Sequence, residues 1–124
     1  MDAEARIRAY YDALEAGDPL GAFFAGGDVV KFGISERLVG GEEVRRGLRE
    51  QTGRTAGWSV DSRDLRVTAR ECHAWFSDDV TLSWEDVEEG TRHTFETRWS
   101  GTLEAREGAE PVFVGMHVST ARSF

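Results

Sequence analysis

A single cysteine, Cys72, leaves the 124-residue chain unable to close an internal disulfide or to build a cysteine-based zinc cluster. Lysine is nearly missing: Lys31 stands alone against fourteen arginines. With 23 acidic residues and 15 basic ones the net charge is −8, which excludes a sequence-independent grip on a phosphate backbone. Basic segments interleaved with aromatics are absent too, so no nucleic-acid partner is expected. No stretch approaches the roughly 18 apolar residues that a membrane span requires, and no membrane partner is expected. Met1-Asp2-Ala3-Glu4-Ala5 carries acid where a secretory signal carries base, and no apolar segment follows. The expectation is a soluble, cytoplasmic protein. Its acidic, arginine-biased surface fits a GC-rich genome and a salt-tolerant host more than any particular chemistry.

What the chain does have is apolar and aromatic mass. Hydrophobic residues make up 40% of it, including seven Phe and four Trp, too many for a disordered chain. One domain over 1–124 can bury about two-thirds of its unfolded surface. Ile7, Tyr10, Tyr11 and Leu14 recur at helical spacing, and Gly17 stops that helix. Asp18-Pro19 predicts the start of a second short helix carrying Leu20, Phe23 and Phe24. Asp28 to Ile34 and Arg37 to Val39 predict short strands. Glu42 to Gln51 predicts a third helix, whose Gly47 implies close packing on something flat. From Trp58 onward alternation predicts strands over Trp58–Thr68, Cys72–Val87, Thr91–Glu104 and Pro111–Ser119. Trp75 and Trp84 have opposite parity, which predicts a bulge near Asp78-Asp79. The fold class is α+β: a curved antiparallel sheet wrapped on N-terminal helices as a cone with an open mouth.

Several segments in that order resemble the nuclear transport factor 2-like superfamily and, within it, the SnoaL-like domains. Tyr10-Tyr11-Asp12-Ala13-Leu14-Glu15-Ala16-Gly17-Asp18 is similar to the first-helix pattern Y-x-A-L-x-A-G-D, and Gly40-Gly41-Glu42-Glu43-Val44-Arg45 to a G-x-E-x-I-R helix start. Asp64-Leu65-Arg66-Val67, Ala74-Trp75-Phe76-Ser77-Asp78 and Arg98-Trp99-Ser100-Gly101-Thr102-Leu103-Glu104 resemble strand motifs of one SnoaL-like subfamily. Val114-Gly115-Met116-His117-Val118-Ser119 is similar to its terminal H-x-S strand. Pro111 departs from the pattern, standing where a Trp usually opens the last strand, and predicts an irregular start. The resemblance implies a cystatin-like cone, a pocket between first helix and concave sheet, and a homodimer. It does not imply one chemistry, because the superfamily holds isomerases, cyclases, hydrolases, dehydratases and non-catalytic modules.

A steroid-isomerase reading needs a carboxylate base, a phenol and a protonated carboxyl. Tyr10 matches the phenol, but Phe32 falls at the base and Ser100 or Gly101 at the carboxyl, so that reading is rejected. Asp28 and Glu36 remain as acids able to enter the pocket mouth. An epoxide-hydrolase reading would use Arg98 and Glu96 with Asp79 or Glu85 across the strand pair, where an exposed ion pair is the plainer account. His117 and Ser119 share a strand face with Phe113 and Gly115 by alternation, fitting a pocket wall, a dimer face or acid–base work. The spacing of His73, His93 and His117 supports no metal site, and Cys72 reads as a buried structural thiol.

The expectation is a domain that binds a small hydrophobic molecule, with Tyr10, Phe24, Phe32, Trp58, Trp75, Trp99, His117 and Ser119 as candidate lining. Tyr10, Arg98 and His117 are the candidates for proton transfer or hydration. No cofactor or metal is expected, and a homodimer is. The alternative is a non-enzymatic homodimerisation or interaction module with a vestigial pocket.

Overall fold

The computed structural model describes residues 1–121. Helix α1 spans Ala3–Ala16. Asp2 caps it by accepting from Ala5 N, and Gly17 ends it at φ 74, a left-handed position that costs glycine little. The predicted stripe of Ile7, Tyr10, Tyr11 and Leu14 is buried. The second helix expected from Asp18-Pro19 is only a 3-10 turn, Gly21–Phe23, without a side-chain cap. Packing and backbone hydrogen bonds together fix this segment: Leu20, Phe23 and Phe24 are all buried, and Ala25 N donates to Phe113 O (2.9 Å).

A hairpin of β1 (Val30–Gly33) and β2 (Glu36–Val39) leads into α2, Gly41–Arg54. A Cβ on Gly47 would lie 2.5 Å from Leu38 Cδ1, so the missing side chain lets α2 settle on β2. The long predicted strand from Trp58 is two strands, β3 (Thr55–Ser62) and β4 (Arg66–Ala69), both paired with β5. Strands β5 (His73–Asp86), β6 (Thr91–Arg106) and β7 (Ala109–Thr120) form the meander.

The curved, unclosed sheet runs β2-β1-β7-β6-β5-β3, with β4 beside β5. It is mixed rather than wholly antiparallel, because β1 lies parallel to β7. The bulge predicted near Asp78-Asp79 is absent: β5 and β6 stay in register from His73 opposite Glu104 to Asp86 opposite Thr91. Trp75 instead faces outward, 43% exposed, and Asp78 takes an inward position. Its buried carboxylate accepts from Tyr11 Oη (2.8 Å), Ser62 Oγ (2.6 Å) and Asp64 N (3.0 Å), which offsets the cost of removing a charge from water. The decisive bulge is in β7, where Thr102 pairs with Gly115 but Leu103 pairs with Phe113, leaving Val114 as the extra residue. A second irregularity lies near Pro111, at the irregular start expected there. Cys72 is exposed, not buried, because it falls in the turn before β5.

Candidate functional site

The concave face and α1 enclose a cavity of about 100 Å³. Helix α1 contributes Tyr10 and Leu14, and β3 contributes Trp58. Leu82 and Trp84 come from β5, Trp99 from β6, and Met116 and Val118 from β7. The polar lining is short: Lys31, Glu36, Gln51 and the Tyr10 hydroxyl.

The indole N–H groups are spent on threonines. Trp99 Nε1 donates to Thr97 Oγ1 (2.9 Å), whose hydroxyl donates to Val80 O (2.6 Å). Trp58 Nε1 donates to Thr55 Oγ1 (2.8 Å), whose hydroxyl donates to Gln51 O (2.6 Å). Both rings are thereby fixed, and they offer the cavity apolar surface only.

Strand β1 explains the charged pair. Lys31 pairs with Met116 of β7 and faces inward with it, whereas Phe32 pairs with His117 and faces outward. Gly33 shares the inward face of Lys31 and pairs with Glu36 across a two-residue turn. A Cβ on Gly33 would lie 2.9 Å from Glu36 Oε1, so the glycine makes room for that carboxylate. Lys31 Nζ donates to Glu36 Oε1, with the lysine side chain 6% exposed and the glutamate 27%. The only lysine of the chain is therefore spent inside the cavity.

Tyr10 is packed edge-on against Phe23, Phe24, Trp99 and Phe113. Its ring is fixed, and it lines the cavity close enough to Glu36 to feel that carboxylate's charge. Burial, and then the negative charge of Glu36, hold its phenol well above the ordinary tyrosine range. Tyr10 is thus a hydrogen-bond donor and not a base.

An outer groove of about 690 Å³ shares Ile34, Glu36, Gln51 and Trp84 with the cavity. Trp84 stacks on Trp58 at 4.9 Å, and its other neighbours are His93 at 5.3 Å and Phe95 at 5.6 Å. An aromatic wall therefore runs from the chamber out to the mouth.

Of the residues expected to line a pocket, Tyr10, Trp58 and Trp99 do so. Phe24 lies behind Tyr10, tilted on Phe113, as core. Phe32 and Trp75 face outward by strand parity, and the Val114 bulge turns His117 and Ser119 outward as well. Arg98 is exposed on the same outer face, opposite Asp79, so Tyr10, Arg98 and His117 do not converge. Gly101, at the expected carboxyl position, offers no side chain, and Ser100 points away. Of the two acids considered as entrants, Glu36 enters and Asp28 is exposed. Alternation in Asp28–Ile34 favours burying Val30, Phe32 and Ile34, which hides the inward place of Lys31. A lone lysine inside an apolar strand was the available signal. Among the described residues no cluster of three His, Cys, Asp or Glu is able to hold a metal ion, and no helix is long and apolar enough to cross a membrane.

The architecture has close counterparts. A proposed dehydratase of the NTF2-like family from Streptomyces avermitilis superposes with a TM-score of 0.84 at 16% identity, over 97% of this chain and 94% of its own. A proposed scytalone dehydratase from Novosphingobium aromaticivorans gives 0.81 at 17%, over 96% and 81%. A proposed calcium/calmodulin-dependent protein kinase II association domain from Xanthomonas campestris gives 0.81 at 16%, over 99% and 88%. At such identities these likenesses establish the fold alone. No curated protein sequence matches the chain. The family profile described as SnoaL-like domain matches residues 3–123, nearly the full length, and places the chain in that family, with a fold shared by NTF2-like proteins.

Proposed function

We propose that the protein binds a small, neutral, largely apolar molecule whose one oxygen function enters the cavity head first. The observation that carries this reading is the Tyr10 phenol beside the Lys31–Glu36 pair, in walls that are, Gln51 apart, aromatic and aliphatic. The ion pair balances its own charge, so a neutral oxygen gains a donor without stranding a counter-ion. By comparison with an apolar cavity of about 150 Å³ that accepts benzene, the chamber holds on the order of four or five non-hydrogen atoms. The rest of a longer ligand lies in the groove along Trp84 and Phe95. Proton transfer or hydration suits this arrangement, with Tyr10 donating to the oxygen and Glu36 accepting or returning the proton. Two of the structural relatives bear dehydratase names, which supports chemistry of this class.

Titration with 2-butanol, butanone and pentane, followed by the fluorescence of Trp58, Trp84 and Trp99, tests it. The two oxygenated probes should bind more tightly than pentane, and Tyr10→Phe should erase the difference. At one hundred times its Kd, a bound probe should add about 2.7 kcal/mol of stability. Equal, weak response to all three would defeat the reading.

A homodimer through the outer sheet face is a compatible second proposal. Trp75 supports it, 43% exposed beneath Arg70 and beside His73, as does the association-domain relative. Sedimentation velocity of Trp75→Glu tests it: dissociation is the expected result, and an unchanged profile in both proteins as monomers would end it.

A further inference from the structure

The geometry points to Lys31 as a covalent carbonyl-capturing residue: its amine forms an imine with a small aldehyde or ketone held in the cavity. This rests on the binding reading above and deepens it by naming the ligand class.

Three observations converge. Lys31 is the only ε-amine in the chain, in a protein whose other fourteen cationic side chains are guanidinium groups without nucleophilic use. It is almost wholly buried, yet its side chain lines a cavity instead of packing into solid core. Its partner is a carboxylate, which can receive and return protons, and the Tyr10 hydroxyl opens into the same chamber, where a carbonyl oxygen would need a donor. A lysine that served only to neutralise Glu36 would need no cavity at its side.

The chemistry balances without a further reagent. The ammonium of Lys31 gives a proton to Glu36, and the freed amine attacks the carbonyl carbon. The C=O electron pair moves onto oxygen, which Tyr10 supports by hydrogen bonding. Glu36 protonates that oxygen and takes a proton from nitrogen, giving a neutral carbinolamine. Glu36 then protonates the hydroxyl, which leaves as water while the nitrogen lone pair forms C=N. The product is an iminium cation paired with the restored Glu36 carboxylate, with water as the only by-product. The positive nitrogen withdraws electrons from the neighbouring carbon and loosens its C–H bonds, the activation that lysine-dependent carbon chemistry uses.

Reductive trapping tests it with the intact chain. The folded protein is treated with butanal and sodium cyanoborohydride, then peptide-mapped by mass spectrometry, with the terminal α-amine as internal reference. The Lys31 to α-amine labelling ratio should exceed that of the urea-unfolded chain by on the order of tenfold or more. Glu36→Gln should lower the ratio. In Lys31→Arg the labelled peptide should disappear, which fixes the label to the Lys31 amine. A ratio no higher in the folded protein than in urea, with 2-butanol still bound, overturns the covalent role and leaves the binding reading intact. Failure of 2-butanol and butanone to bind overturns the binding reading itself.

Discussion

Replacing Tyr11 by Phe should remove one hydrogen bond and nothing else. The ring stays edge-on to Trp99 at 5.3 Å, while the buried Asp78 carboxylate drops from three donors to two. A buried hydrogen bond to a charged acceptor contributes about 1.5–3 kcal/mol. At about 2.1 cal/mol/K per residue, the 124-residue chain unfolds with an entropy near 0.26 kcal/mol/K, so Tm should fall by about 6–12 °C. The same variant changes the alkaline limb. Burial, then the hydrogen bond to Asp78 and its charge, raise the Tyr11 phenol, with Arg8 opposing. Burial and Glu36 raise Tyr10. A raised folded pKa gives stability that is intact below the unfolded value of 10 and lost as pH climbs beyond it. Each phenol then removes about 1.4 kcal/mol per pH unit, so Tyr11→Phe should roughly halve the slope above pH 10. Urea unfolding monitored by near-ultraviolet circular dichroism at pH 7, and again between pH 9.5 and 11, measures both. A loss under about 0.5 kcal/mol at pH 7 would refute the claim that Asp78 ties α1 to the sheet.

Gly101→Ala should cost about 1–3 kcal/mol, since the new Cβ would lie 2.5 Å from Gly115 O and 2.8 Å from Phe76 Cε1; urea midpoints check it. Gly33→Ala should displace the Glu36 carboxylate and lower the Lys31 trapping ratio with little loss of Tm, read in the butanal assay. His117→Ala and Arg98→Ala, both on the outer face, should leave 2-butanol affinity unchanged and stability within about 0.5 kcal/mol. A several-fold loss of affinity in either would contradict the assignment of the outer face.

The fold was largely legible because its signals are local. The α1 stripe, the Gly17 stop and the alternation of β6 each depend on neighbours within a few residues. What could not be read depends on partners remote in sequence. Asp78 looks like a break in an apolar alternation until Tyr11, Ser62 and Asp64 surround it. Lys31 looks like a solvent-facing residue until β7 pairs with β1 and fixes its side. The tryptophans divide the same way: Trp75 and Trp84 belong to one strand, and only the register tells wall from exterior. Counting alternation from Phe113 puts His117 and Ser119 on the inner face, and one unpaired residue reverses that count.

That residue has an evolutionary consequence. The Val114 bulge sets which alternate half of the last five residues of β7 meets the chamber, at present Met116 and Val118. Straightening the bulge at unchanged length would slide these residues one position along β6 and exchange them for His117 and Ser119. An imidazole and a hydroxyl would then replace a thioether and an isopropyl group opposite Tyr10. A lineage built on this sheet can thus trade a greasy wall for an acid–base wall by a one-residue slip of register, a far shorter route than successive substitutions.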